Sequence, residues 1–410
     1  MGIHTEQMLT PYDHAQRAHK LFQEIEQLNS KRELVAHLEG AYGGVQDFRE
    51  EEASLLHMYG RCVYGGDMVK SLLFFQLSLS VQLVARGIFE SSVLPQEREC
   101  ALKEIPDRMK GYYFSKLDAA IEKGSGELLT KLLEGGESEA FLAAKNLRWL
   151  GHSLQNIDSY AQSEYADRFE AIYGLARRIL ERIGKESDLY KDAQWEIAEI
   201  LYNTGPFVHG LRHKGDIEGA FETLKKVEPY LEAERDSFRT RVKRGQLHNR
   251  IGNMMASLVK KEEKRAEKEG RPKDELKMKE LLARQYEETS TAEEIANSTE
   301  GFPPFLRTMF AHNRALTAMN CNKGGLITLS SEAISGRITR VLSDMENSDD
   351  HYYHATYLCS ASRFEVQYGT KEKAQEYLQR ALNLCITYPA SCEDMEKPLA
   401  ALKNEIAAMQ

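Results

Sequence analysis

Apolar residues recur at three- and four-residue spacing along almost the whole chain, the period of helices that bury one stripe and expose the rest. Leu21, Phe22, Ile25 and Leu28 form the first stripe, and Phe169, Ile172, Leu175, Ile179 and Ile183 a longer one. The pattern predicts helices over residues 47–64, 67–87, 97–123, 126–134, 138–156, 159–184, 188–214, 216–233, 303–321, 326–347, 351–368 and 371–388. Between them, two long helices flank a break at Gly270-Arg271-Pro272. No segment alternates as a strand would. Leu399, Leu402, Ile406 and Met409 put an apolar stripe on an otherwise polar end, the form expected of a capping helix.

The turns between these helices repeat. Gly369-Thr370-Lys371-Glu372-Lys373-Ala374 is followed by Leu378 and Ala381. Gly215 with Ala220, Leu224 and Val227 repeats the arrangement, and Gly66 with Ser71, Phe75 and Ser78 is a third copy. Gly124 and Gly325 mark weaker ones. A helix-turn-helix unit cannot bury its apolar face alone and must stack on neighbours, which predicts an all-α solenoid. The expected organisation is N-terminal helices over 1–46, a repeat array over 47–388 and the capping helix over 389–410. Residues 260–279 are dominated by Lys, Glu and Arg, so a charged helical hairpin near 258–285 extends past the array. Such a run reads first as a solvated face with intrahelical ion pairs, and second as a docking arm.

Gly369, Ala374, Leu378 and Ala381 resemble a tetratricopeptide repeat, whose small residues let two helix backbones cross closely. Gly215, Ala220 and Leu224 resemble it equally, and Trp149-Leu150-Gly151 is similar to the family's first-helix signature. The resemblance implies a right-handed solenoid in which the first helix of each pair lines a concave groove. Groove positions are then Lys145, Arg148, His152, Gln155 and Asn156, followed by Tyr202, His209, Arg212 and His213. Gln246, Asn249, Asn253 and Ser257 come next, then Asn313, Thr317 and Asn320, then Thr356, Arg363 and Gln367. None is Asp or Glu, although 63 acids in 410 residues would place about three in such a set.

Around two of these positions, His248-Asn249-Arg250 and His312-Asn313-Arg314 recur at equivalent places. Arg donates in a planar fork, and Asn both donates and accepts, a combination suited to a carboxylate or a peptide backbone. Some tetratricopeptide proteins grip a partner's C-terminal carboxylate with Lys, Asn and Arg. Arg250 and Asn253 resemble parts of that clamp, whereas Asn249 stands where its Lys is usual. The expected peptide-binding residues are therefore Lys145, Arg148, His152, His209, Arg212, His213, Asn249, Arg250, Asn253, Asn313, Arg314 and Arg363. The competing expectation is that Arg250 and Arg314 bridge neighbouring helices through ion pairs.

Composition narrows the function classes. A net charge of −9 argues against nonspecific nucleic-acid binding. The short basic cluster Arg239, Arg241, Lys243 and Arg244 has Glu232, Glu234 and Asp236 beside it as partners. Six cysteines without a CxxC pair suit a reducing, cytoplasmic setting. The N-terminal MGIHTEQML is too polar for a signal peptide, though secretion without a cleavable signal leaves no such mark. Leu72 to Ala85 is interrupted by Gln76, Ser78, Ser80 and Gln82 and is shorter than a membrane span, so it reads as a buried central helix.

Candidate chemistry is sparse. His209 and His213 share a helix face at a spacing that can hold a metal, without a surrounding HExxH. Asp349, Asp350, His351 and His354 read first as helix capping and dipole compensation, and second as ligands. No phosphate-binding loop, nucleophile elbow or kinase signature is present. The sequence thus points to a non-enzymatic interaction protein that needs no cofactor. It would bind a peptide or protein partner that is acidic or presents a free C-terminus. The alternatives are a peptide-sensing regulator, or a secreted bacterial effector with an enzymatic site between helices. Oligomeric state is not legible in the sequence.

Overall fold

The structure, a computed structural model, describes Ala53, Leu56, His57, residues 68–88, 128–157, 166–205, 216–325, 329–346, Ser348 and 350–409. The expected helices over 1–46 and 97–123, the turns at Gly66, Gly124 and Gly215, and His209, Arg212, His213 and Asp349 lie outside these residues. Among the described residues the protein is all-helical, with 13 α-helices and no strand. No helix among them is long and apolar enough to cross a membrane. The chain divides into two compact units, residues 1–233 and 234–410.

In the first unit the helices are α1 (Met68–Ala85), α2 (Glu137–Ile157), α3 (Ala166–Leu180), α4 (Tyr190–Thr204), α5 (Ile217–Lys225) and α6 (Glu228–Leu231). Successive helices α1 to α5 pack in chain order, while α2 also reaches α4 and α6 folds back onto α4. Helix α1 is the buried central helix expected from its sequence: every residue from Phe74 to Leu83 is buried. Its polar residues therefore need internal partners. Ser78 Oγ donates to the Ala53 carbonyl at 2.6 Å, and Gln82 Nε2 donates to the Glu139 carbonyl at 3.0 Å. Asn146 on α2 donates to Ser78 Oγ at 2.7 Å and to Gln82 Oε1 at 3.1 Å, and its own oxygen lies 2.7 Å from His57 Nδ1. The expected single helix over 216–233 is broken into α5 and α6. Pro229 has no N–H to donate back to Lys225, so the helical ladder restarts there.

The second unit holds α7 (Phe238–Glu269), α8 (Glu275–Ser298), α9 (Pro304–Lys323), α10 (Ser331–Met345), α11 (His351–Tyr368), α12 (Lys371–Thr387) and α13 (Glu396–Ala407). Each packs on the next, and each odd-numbered helix also packs on the next odd one. Side-chain caps set most starts: Ser237, Asp274, Ser330, Asp350 and Thr370 each accept from the backbone N–H three residues on. Helix α7 ends at Gly270, whose φ of 62° and ψ of 23° are the left-handed stop that glycine adopts without strain. Gly252 lets α8 approach, since a Cβ there would lie 2.8 Å from Thr289 Cγ2.

Amphipathic stripes build the core of this unit. Helix α10 buries Ile334, Ile338, Val341, Leu342 and Met345 against α9 and α11. The Gly369 turn delivers Ala374, Leu378 and Ala381 to the α11–α12 crossing, where Ser362 Oγ donates to the Ala374 carbonyl at 2.7 Å. The chain closes as expected, with Leu399, Leu402 and Ile406 of α13 buried.

Helices α7, α9 and α11 run parallel and in register. Asn249 of α7 pairs with Asn313 of α9, 64 positions on. His312 of α9 meets Ser360 of α11, and Met319 meets Gln367, both 48 positions on.

Candidate binding face

The outward stripes of α7, α9 and α11 form one surface in the second unit. Helix α7 contributes Gln246, Arg250, Asn253 and Ser257; α9 contributes Asn313, Leu316 and Asn320; α11 contributes Thr356, Arg363 and Gln367. Asn253, Ser257, Asn320 and Gln367 are exposed, and the others are half-buried. No Asp or Glu stands on these stripes. The amides are tied into the helices at the base of the surface: Asn313 Nδ2 donates to buried Asn249 Oδ1 at 2.8 Å, and Gln367 Nε2 donates to the Met319 carbonyl at 3.3 Å. Beneath them, Gln285 of α8 donates to Thr317 Oγ1 at 3.0 Å.

The two His-Asn-Arg triplets fall at matching levels of α7 and α9, as their repetition suggested, but their side chains do different work. His248 Nδ1 lies 2.7 Å from Glu288 of α8. His312 Nε2 lies 2.8 Å from Ser360 Oγ, and its ring is 4.2 Å from that of Tyr357. Burial holds the His312 pKa down at about 4, so this imidazole is neutral at ordinary pH. Arg314 Nη1 donates to Glu293 of α8 at 2.7 Å, which is the interhelical ion pair weighed against a binding role. Arg337 of α10 approaches the same carboxylate at 3.4 Å. Arg363 lies 3.8 Å from Glu405 of α13, with both side chains largely exposed.

The candidates in the first unit are more constrained. Arg148 is buried, paired with Glu196 of α4, and its guanidinium sits 4.4 Å over the Trp149 ring. His152 meets the same indole edge-on at 5.7 Å, and the Lys145 ammonium stands 5.3 Å over Phe141. The structure thus gathers Asn249, Arg250, Asn253, Asn313, Arg314 and Arg363 in the second unit and Lys145, Arg148 and His152 in the first. Its arginines are more neutralised than the acid-free sequence set implied, because Glu196, Glu293 and Glu405 approach from other helices.

Reactive chemistry is not favoured at the described thiols near this surface. Burial raises the Cys321 and Cys359 thiols to about 11, where they stay protonated. Asp350 caps α11, accepting from Tyr353 N–H at 3.2 Å, and His351 stacks on Tyr388 with ring centroids 3.5 Å apart. The basic cluster at the start of α7 is paired as its neighbours predicted: Arg239 with Glu234, and Arg241 4.0 Å from Asp236. Sequence reasoning missed an aromatic row where α9 and α11 begin: Phe305, Tyr352, Tyr353 and Tyr357. Its signal was the position of Phe305 and Tyr352-Tyr353 in the first turns of successive first helices. No known protein family matches the chain, and no curated protein does.

Proposed function

We propose that this protein is a tetratricopeptide-like helical solenoid that binds a polypeptide across the outward stripes of α7, α9 and α11. The observation that carries the reading is an acid-free surface of amides and arginines on a chain of net charge −9. The in-register packing of parallel first helices supports the repeat architecture. Asn253 and Asn320 offer paired donors and acceptors to an extended backbone. Arg250 and Arg363 favour a segment that is neutral to acidic or ends in a free carboxylate.

The test is selection of binders from a random peptide library, followed by titration against an Asn253→Glu, Asn320→Glu variant. Both positions are exposed, so stability should change by less than about 0.5 kcal/mol. The expected result is a set of peptides rich in Asp, Glu or a free C-terminus whose affinity falls at least tenfold in the folded variant. Peptides that bind both proteins equally would place the binding site elsewhere.

A further inference from the structure

A second surface stands at the edge of the same unit, where α9 and α11 begin. Phe305 is 39% exposed and Tyr352 38% exposed. They belong to a continuous row. Phe305 meets Tyr353 edge-on with centroids 5.0 Å apart, Tyr352 meets Tyr353 at 5.5 Å, and Tyr353 leads inward to Tyr357 at 6.0 Å. Edge-to-face contacts tie the rings to one another, and Phe305 and Tyr352 keep part of their surface in water.

Carboxylates flank the row. Asp344 accepts from Thr308 Oγ1 at 3.0 Å, one helical turn beyond Phe305. Asp350 caps α11 directly before Tyr352 and Tyr353. Its charge acts on the inner rings: burial, then Asp350 and Tyr352, raise the Tyr353 pKa, and burial, then Tyr353 and Asp350, raise that of Tyr357. Tyr357 adds an independent observation. Its side chain is only 2% exposed, and its hydroxyl has no hydrogen-bond partner among the described residues. A buried hydroxyl left in that state is destabilising. The neighbouring His312 is neutral and does not repel a cation. Arg307, two positions after Phe305, projects about 200° away around α9.

Exposed aromatic rings with two flanking carboxylates are the complement of an ammonium or guanidinium group. We infer that the Phe305–Tyr352–Tyr353–Tyr357 row, with Asp344 and Asp350, is a docking site for a lysine or arginine side chain of a basic polypeptide segment. The cation would lie against the faces of Phe305 and Tyr352 and between the two carboxylates. This goes beyond the acid-free face, uses none of its amides, and takes ligands of the opposite charge.

The probe is a fluorescein-labelled peptide of alternating lysine and glycine, with its glutamate counterpart as control, titrated by fluorescence anisotropy against the full chain. The expected result is saturable binding of the lysine peptide only. A Phe305→Ala, Tyr352→Ala double variant should weaken it at least tenfold. Asp344→Asn and Asp350→Asn each keep an acceptor for the native hydrogen bond while removing the charge, and should weaken binding about threefold. The Asn253→Glu, Asn320→Glu variant should bind the lysine peptide as the native chain does, so failure of the face leaves this site standing. Absence of binding, equal binding of the glutamate peptide, or undiminished affinity in the folded aromatic and Asp variants would overturn the proposal.

Discussion

Helices α1 and α10 bury their residues in opposite ways. Helix α10 commits a single stripe to the core and leaves Glu332, Thr339 and Arg340 in water. Helix α1 is buried on every side from Phe74 to Leu83, with Gln76, Ser78, Ser80 and Gln82 inside. An apolar stripe tolerates small shifts because its attraction is not directional. A buried amide or hydroxyl does not, since each lost hydrogen bond leaves a desolvated group behind. The first unit therefore gains specificity from a polar lattice that a single substitution can undo, whereas α10 keeps its polar residues away from the packing.

The largest effect should come from Asn146→Leu, which strips partners from His57 and from Gln82 Oε1 at once. We expect a loss of about 4 kcal/mol. Both tryptophans, Trp149 and Trp195, lie in the first unit, so indole fluorescence during urea unfolding measures that unit selectively. A variant whose indole transition stays within about 0.5 kcal/mol of the native one would break the contrast between the two cores.

A smaller effect probes the second unit, where one buried imidazole plays a comparable part. His312 titrates near 4 when folded and near 6.5 when unfolded. The unfolded chain then takes up a proton first as pH falls. The contribution is constant above pH 6.5, declines between 6.5 and about 4, and is level below. Between pH 7.5 and pH 5.0 the native chain should lose about 2 kcal/mol more than a His312→Gln variant, measured by circular dichroism in urea. Equal losses in the two proteins would mean that the imidazole is solvated.

The smallest effect has the opposite sign. Both amide atoms of Gln76 are buried without a hydrogen-bond partner among the described residues. Gln76→Met fills similar space without the desolvated amide and should stabilise the first unit by about 1 kcal/mol, again read from indole fluorescence. Destabilisation would show that the amide is satisfied and that the lattice around Asn146 extends along α1.

Much of this architecture was legible because its cues are local. Gly369 with Ala374, Leu378 and Ala381 marked the α11–α12 pair, and the predicted ranges 351–368 and 371–388 match the observed helices within one residue. Pro229 broke a predicted helix that apolar spacing alone had carried through. The lattice around α1 was hidden because its partners lie far apart in sequence: His57 and Asn146 are 89 positions apart, and Ser78 and Asn146 are 68. The candidate face shows the same division. Spacing located Asn253, Asn313 and Arg363 on outward stripes, but the acids that neutralise Arg148, Arg314 and Arg363 come from helices whose register a sequence does not contain.

The register of α7, α9 and α11 also separates the length that their packing requires from the length added to it. The step from α9 to α11 takes 48 residues, and the step from α7 to α9 takes 64. The surplus of 16, shared by two arms, lengthens each by eight residues, or about 12 Å. It falls in the hairpin whose tip holds Arg271 between Glu262 and Glu269 and leaves Leu276 71% exposed. Because that length is added outside the repeating step, it is a natural attachment point: a reporter or tether joined near Leu276 would leave the phase of the remaining helices unchanged.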